Sequence, residues 1–362
     1  MSTVNWEKNI FGMVSQDDWL SVPFNPLRQN DPIDGLFGDE KTDNITASWE
    51  TIAAEYQLPA MAQFHAFDVE SNTTYRIPVD NRNIEKGLIQ VKINQSERLQ
   101  ALLRAGVRDD RMYDYVINDG ARLAEQVITR TKVAKNEVLA TGQFTIVENN
   151  LNLTVDYGVS ADQKSFTLDL ATTADIASQL QDIIEAAQDN GVTITGMITS
   201  KKNVTKMRRN ANLQKEINSN VGVGALITST SLAAYLEDEF GIETIITNDL
   251  KYNANNNIIG IDGRPVVTAK RYYPEDKITF FGAVNGRIGT GLWGDPPSVI
   301  NPLIEARSSS TSPYVYVDQW TETDPDVLWT RARGLFVPVL YNPSSLYIAT
   351  VTDSTVNSGD GA

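Results

Sequence analysis

Between residues 109 and 140 the small or apolar positions Val116, Gly120, Leu123, Val127, Thr131, Ala134 and Val138 recur at steps of 4, 3, 4, 4, 3 and 4. That spacing keeps them on one face of a 3.6-residue period and predicts one helix over Asp109–Ala140. At 1.5 Å per residue it would be roughly 45 Å long. Asp109 and Asp110 suit its start, Lys132 and Lys135 lie near its end, and Gly142 follows as a stop. Upstream the period changes to two. Tyr75–Val79 and Ile89–Ile93 alternate apolar with other residues on either side of a polar connection, Asp80–Gly87, which predicts a long two-stranded hairpin with Pro78 at an edge or bulge. An isolated ribbon is marginal in water, so this one should rest on another surface.

Downstream of Gly142 the pattern predicts strands at Gln143–Val147 and Leu151–Val155, a helix at Ala174–Gln188 and a strand at Val192–Thr199. A polar helical stretch at Val204–Asn218, a Gly-rich loop at Asn220–Gly224 and a short helix at Ser231–Phe240 follow. Glu243–Thr247, Ile258–Ile261, Pro265–Ala269 and Lys277–Phe281 read as strands. The segment Gly286–Thr323 is rich in Gly, Pro and Ser, strands at Leu335–Leu340 and Leu346–Val351 close the fold, and residues 353–362 read as a disordered tail. The class is α+β, without the βαβα alternation of a nucleotide-binding sheet. Residues 1–60 differ from the rest. Trp6, Phe11, Trp19, Phe24, Phe37, Trp49 and Tyr56 are interleaved with Pro23, Pro26, Pro32, Gly35 and Gly38, which suits an extended arm burying its aromatics on another surface.

Composition narrows the chemistry. The 362 residues include no Cys and one His, which removes disulfides, thiolate nucleophiles, Cys-based zinc sites and any site needing two imidazoles. The net charge is −15 and the pI about 4.6, unlike a protein that grips phosphates through clustered Lys and Arg. Charge is uneven: −7 over residues 1–60, +1 over 61–142 and −9 over 143–362. No basic–apolar leader opens the chain and no window approaches the ~20 apolar residues of a spanning helix, so a soluble protein made in a cytoplasm, without a membrane partner, is expected.

Candidate chemistry is weak. Gly289-Thr290-Gly291-Leu292-Trp293-Gly294 has the form G-x-G-x-x-G, but Asp295-Pro296-Pro297 follows where a phosphate site needs a helix, so it reads as a glycine-rich turn. His65 lies among aromatics without a catalytic partner nearby. Glu237-Asp238-Glu239 and Asp324-Pro325-Asp326 lack the spacing of a calcium loop. Lys201, Lys202, Lys206, Arg208 and Arg209 could touch phosphate or form a subunit-contact face. No enzyme, cofactor or metal site is expected. An aromatic arm, a projecting hairpin and a very long helix suit an assembly subunit, whose heterologous contacts can close into rings.

Glu137–Ile146, Val155-Asp156-Tyr157-Gly158, Arg333–Leu340 and Asn342–Tyr347, together with the order of elements, carry a family resemblance. The chain resembles the major capsid proteins of tailed bacteriophages with the Hong Kong 97-type fold, and in detail the phage lambda major head protein (capsid protein E) family. The resemblance implies an N-terminal arm (1–60), an extended loop hairpin and linker (61–108, the loop itself about 68–96) and a peripheral domain with a spine helix (109–173). It further implies an axial domain (174–285) and a return segment with closing strands (286–352). It implies pentamers and hexamers of an icosahedral shell around double-stranded DNA, held without sequence-specific binding, in the virion after assembly in the host bacterial cytoplasm. A separate scaffolding protein and a portal would take part, with room for a decoration protein. Inter-subunit contacts are expected at Trp6, Phe11, Trp19, Tyr75, Ile77, Val79, Ile89, Val91, Ile93, Arg208, Arg209 and Asn220. An encapsulin-like compartment shell, and a cytosolic enzyme with an unrecognised carboxylate site, remain alternatives.

Overall fold

The computed structural model describes residues 31–51, 61, 76, 80–95, 110–148, 150–218, 227–254, 266–282, 286–297, 306–309, 312–323 and 326–353. Strands β1 (Phe37–Lys41), β2 (Thr46–Thr51), β3 (Asp80–Glu85) and β4 (Gly87–Gln95) precede the long helix α1 (Asp110–Thr141). Then come β5 (Gln143–Glu148), β6 (Leu151–Asp156), β7 (Phe166–Asp169), α2 (Ile176–Asp189), β8 (Gly196–Thr199), α3 (Lys201–Arg209), α4 (Ala211–Ile217) and α5 (Ser229–Phe240). The chain continues through β9 (Thr244–Thr247), β10 (Lys251–Asn253), β11 (Ala269–Arg271), β12 (Lys277–Phe281) and β13 (Gly289–Gly294). It closes with β14 (Ala306–Ser309), β15 (Ser312–Thr323), β16 (Asp326–Leu340) and β17 (Leu346–Thr352). The α+β class and the expected order of long helix, helix-covered sheet and closing strands are those observed.

The long helix has the expected limits to within one residue. It stops because Gly142 adopts φ 69°, letting its N–H donate back to Val138 O at 2.8 Å. Lys132 and Lys135 do not serve its C-terminal dipole. Both are buried and reach the amino-terminal segment, Lys135 Nζ lying 2.9 Å from Asp39 Oδ1 and Lys132 Nζ 4.0 Å from Asp34 Oδ2.

The hairpin differs from expectation. The polar stretch Asp80–Glu85, expected as a connection, is itself strand β3 and pairs antiparallel with β2, Thr51 opposite Asp80 and Thr46 opposite Glu85. Its alternation is one of exposure: Asn81, Asn83 and Glu85 face solvent while Arg82 and Ile84 are half-buried. A polar strand of this kind carries no hydrophobic period to read. Ile89–Ile93 does lie in a strand, but β4 pairs with β16, more than two hundred residues away in sequence. Tyr75, Ile77 and Val79 lie outside the described residues, as do residues 255–265 with the expected strand Ile258–Ile261.

Two sheets organise the described chain. In the first, β16 is central: β15 and then β13 share one of its edges end to end, and β4 takes the other, with Leu335 and Phe336 paired to both β13 and β4. Strand β1 lies parallel beyond β13 and β14 lies beyond β15. The second sheet runs β7-β17-β12-β8-β9. Because successive strand residues point to opposite faces, it serves two cores. Ile198, Phe281, Leu346 and Ile348 join the core built around α1, Trp293 and Phe336, whereas Met197, Phe280, Tyr347 and Ala349 join the core beneath α2–α5.

The Gly289–Gly294 motif is neither a turn nor a phosphate loop. It is the buried strand β13, squeezed between β1 and β16. A Cβ at Gly289 would lie 2.3 Å from Val339 O and 2.6 Å from Phe37 Cε1, and one at Gly291 would lie 2.6 Å from Asp39 Oδ1 and 2.7 Å from Phe336 Cε2. These glycines admit neighbouring backbone and aromatic rings. The rest of Gly286–Thr323 likewise includes β14 and β15, because Tyr314, Val315, Tyr316 and Val317 supply strand-forming residues that the Gly/Pro/Ser content hides. Gly289→Ala should therefore lower stability by roughly 1–3 kcal/mol or more in urea unfolding. Gly35→Ala, whose Cβ meets nothing within 4 Å, should change it little.

Candidate assembly surfaces

Among the expected contact residues, Trp6, Phe11, Trp19, Tyr75, Ile77, Val79 and Asn220 lie outside the described residues, as does His65. Ile89 and Val91 are half-buried on β4 against the α1 core, and Ile93, on the same face, is exposed. Arg208 is half-buried on α3, its Nε donating to Ile227 O at 2.7 Å, while Arg209 is exposed at the end of that helix. The neighbouring cations are occupied by separate acids, Lys202 by Glu275 at 3.1 Å and Lys206 by Asp353 at 2.7 Å. The cluster is thus dispersed over several partners instead of converging on one phosphate-sized space. No group of three metal-ligating side chains occurs among the described residues, and no described helix is long and apolar enough to cross a membrane.

Some of the most exposed apolar side chains among the described residues sit on two-stranded ribbons. Val147 is 70% exposed and Leu151 50% exposed beside the β5–β6 turn, where Asn150 takes φ 65°, and Val267 is 71% exposed next to β11. Packing improves toward the root of the β5–β6 ribbon. On β5–β6, Phe144 and Val155 are buried, and Trp49 of β2 meets the Tyr157 ring at 5.9 Å between centroids. Arg82 of β3 donates to Asp156 O at 2.7 Å, joining the two ribbons at their bases. Firm roots with apolar ends suit surfaces that complete their burial on another molecule.

Two buried polar anchors hold these roots, and neither was legible in the sequence. Lys86 fills the single position between β3 and β4. Its ammonium shares its three N–H donors among Thr42 O at 2.9 Å, Thr42 Oγ1 at 2.5 Å, Asn44 O at 2.6 Å and Trp293 O at 3.0 Å. It thereby ties the start of the β2–β3 ribbon to the end of β13, while burial pushes its pKa down. The second anchor is Asp31. Its Oδ1 accepts from Ile33 N at 3.2 Å and Asn248 Nδ2 at 3.1 Å, its Oδ2 accepts from Asn136 Nδ2 at 3.1 Å, and Asn248 Nδ2 also donates to Asn136 Oδ1 at 3.0 Å. One carboxylate thus connects the amino-terminal segment, α1 and the turn after β9. Desolvation raises its pKa above the ordinary carboxylate value, with Asp34 adding to the effect and the hydrogen bonds and Lys132 opposing it.

The outer face of the first sheet, opposite α1, carries aromatic rings under cations. Trp320 and Trp329 stack across β15 and β16 with planes 15° apart, Lys92 lies 4.1 Å from the Trp329 centroid and Arg331 lies 4.8 Å from that of Trp320. Arg331 also pairs with Asp318 at 2.7 Å.

Comparison with known proteins agrees with a shell subunit. The profile of the family described as Phage major capsid protein E matches residues 57–351. Similar solved structures include a chain from Mycobacterium phage Adephagia, 12% identical with a TM-score of 0.49 over 90% of this chain and 92% of that one. A chain from the capsid of cyanophage P-SCSP1u is 14% identical, with a TM-score of 0.46 over 90% of both chains. A phage-related protein from Bordetella bronchiseptica RB50 is 11% identical, with a TM-score of 0.49 over 89% of this chain and 93% of that one. No curated protein matches the sequence.

The anchors can be tested separately. Lys86→Met removes the ammonium from Thr42 O, Thr42 Oγ1 and Asn44 O, while Trp293 O keeps the Thr42 N–H, and should cost about 1–3 kcal/mol in urea unfolding. For Asp31 the folded state favours the protonated carboxyl, so its contribution to stability is present at low pH and is lost as pH rises through the raised folded pKa. The stability of the wild type relative to Asp31→Asn should therefore increase, in paired thermal melts, as pH falls through the raised folded pKa toward the ordinary value of 3.8. A difference independent of pH would refute the assignment.

Proposed function

The chain belongs to the Phage major capsid protein E family, a structural protein of the virion shell, and on that premise we propose that its copies form pentamers and hexamers of an icosahedral head enclosing double-stranded DNA. The observation that carries the reading is the β5–β6 ribbon, whose root is held by Arg82 and Trp49 while Val147 and Leu151 at its turn are exposed to solvent. A solitary protein gains nothing from such ends, whereas a subunit buries them on neighbours.

In this reading α1 with the sheet around β16 is the peripheral domain and α1 its spine. The sheet under α2–α5 belongs to the axial domain, with Arg208, Arg209 and residues 210–224 toward the capsomer centre. The β2–β3 ribbon is the root of the extended loop, so that loop begins near residue 46, inside the segment expected as arm. The net charge of −15 supports an inner environment over which DNA slides during filling, since many attractive contacts would hold it in place. A scaffolding protein and a portal encoded separately would direct closure in the host cytoplasm, and a decoration protein could add to the outer face.

Electron microscopy of the protein expressed with the phage's other head genes should show closed shells, and packaged particles should protect DNA from nuclease. Stable monomers alone under those conditions would sink the reading. The ribbon provides a sharper test. Because Thr51 and Asp80 are paired, residues 54–77 can be replaced by a short Gly/Ser turn without unpairing β2 and β3. The variant should keep wild-type thermal stability and fail to form shells. Normal shells would mean that the loop's contacts lie within one chain.

A further inference from the structure

Strand β4 has one satisfied edge. Nine consecutive residues, Gly87 to Gln95, pair with Phe336 to Leu328 of β16 in unbroken antiparallel register, and among the described residues no strand pairs with the other edge. Long regular edges are hazards that proteins normally blunt with bulges, prolines or inward charges. The opposite margin of the same sheet is blunted: β14 has four residues and a register shift between Ser308 and Ser309. Strand β4 has no proline, no bulge against β16 and one charged side chain, Lys92. It also exposes Leu88 (49%) and Ile93 (37%). An edge left in this state is expected to be covered.

The order of residues in β4 specifies what covers it. Place a second β4 antiparallel beside the first so that paired residue numbers sum to 182. Then Val91 meets Val91 of the second copy, Ile89 meets Ile93, and Ile93 meets Ile89, all on the face that packs toward α1. On the outer face Leu88 meets Asn94 and Gln90 meets Lys92, while Gly87 meets Gln95 at the ends. All nine residues find a partner, every branched apolar side chain on the inner face lies opposite another, and no like charges are opposed. Shifting the sum to 184 sets Lys92 against Lys92, which is destabilising, and shifting it to 180 leaves Ile93 opposite Gly87. An odd sum would put the two chains' α1 helices on opposite sides of the joined sheet. The segment is self-complementary in the way that a two-fold, isologous contact requires.

We propose that β4 is a two-fold interface between copies of this chain, joining two six-stranded sheets edge to edge through a β4–β4 pair centred on Val91. The inference rests on the shell-subunit reading and adds to it the identity and register of one contact.

Because the chain contains no cysteine, engineered thiols report the register directly. The test is oxidation of intact shells carrying Val91→Cys, followed by non-reducing electrophoresis. Opposed residues in an antiparallel pair have Cβ atoms about 4.5–5.5 Å apart, close to disulfide range, so a covalent dimer is expected. Ile89→Cys and Ile93→Cys alone place like thiols four positions apart, about 13 Å, and should give about ten-fold less dimer. The double variant Ile89→Cys/Ile93→Cys should restore crosslinking, and it keeps the test available if Val91→Cys does not assemble. Intact shells in which neither Val91→Cys nor the double variant exceeds the single controls would overturn the β4 pairing and leave the shell reading standing. Absence of shells in the wild type would overturn that reading and this contact with it.

Discussion

The fold depends on strand β16 satisfying two edges along most of its length. Over Asp326–Leu340 it accepts β15 and then β13 on one side and β4 on the other, with α1 across one face. Each partner comes from a different part of the chain, so the strand cannot be completed until residues near 90, 290, 320 and 335 have met. Gly334 lies where β15 gives way to β13, and a Cβ there would come within 2.9 Å of Trp293 and 3.3 Å of Val127. Helix, indole and strand crossover share that point, which explains why the spine helix lies directly on the sheet.

The second sheet extends the same economy. It has no solvent face in its centre: Thr279, between Ile278 and Phe280, donates its hydroxyl to Leu139 O of the spine helix at 2.8 Å and contacts the buried Tyr273 hydroxyl at 2.8 Å, while its neighbours face the other core. Burying a polar side chain there is tolerable because both hydroxyls are paired. The two cores are therefore joined through a common wall, and Asp31 adds a hydrogen-bonded clasp between the amino-terminal segment, α1 and the turn after β9.

Much of this was legible in the sequence where a period existed to be read. The spine helix, β5, β6, α2, β12 and β17 all announce themselves through alternation or a 3.6-residue repeat, and the element order they form was enough to suggest the family. What the sequence hid was nonlocal or polar. Strand β3 is built from Asp, Asn, Arg and Glu and shows its alternation only as exposure. Strand β4 looked like half of a hairpin because its true partner lies in β16. Gly289–Gly294 imitates a cofactor loop, since a strand starved of side-chain space and a loop that cradles phosphate both select glycine. Lys86, Asp31, Asn136 and Asn248 gave no signal, because a buried polar residue is recognisable only once its partners surround it. For the candidate surface, the half-exposed Ile89–Ile93 stretch was visible as an alternating run, whereas the apolar ends at Val147 and Val267 were not distinguishable from ordinary strand residues.

The shared wall has a mechanical meaning. A subunit with a soft linker between two domains can change shape by hinging in the middle. Here, alternate side chains of β8, β12 and β17 are committed to opposite cores, so bending the two halves apart would shear both interiors at once. In the proposed shell, differences in curvature between positions would then be taken up elsewhere, in the two-stranded ribbons. The body acts as a stiff tile, and the give in the wall it builds belongs to the joints.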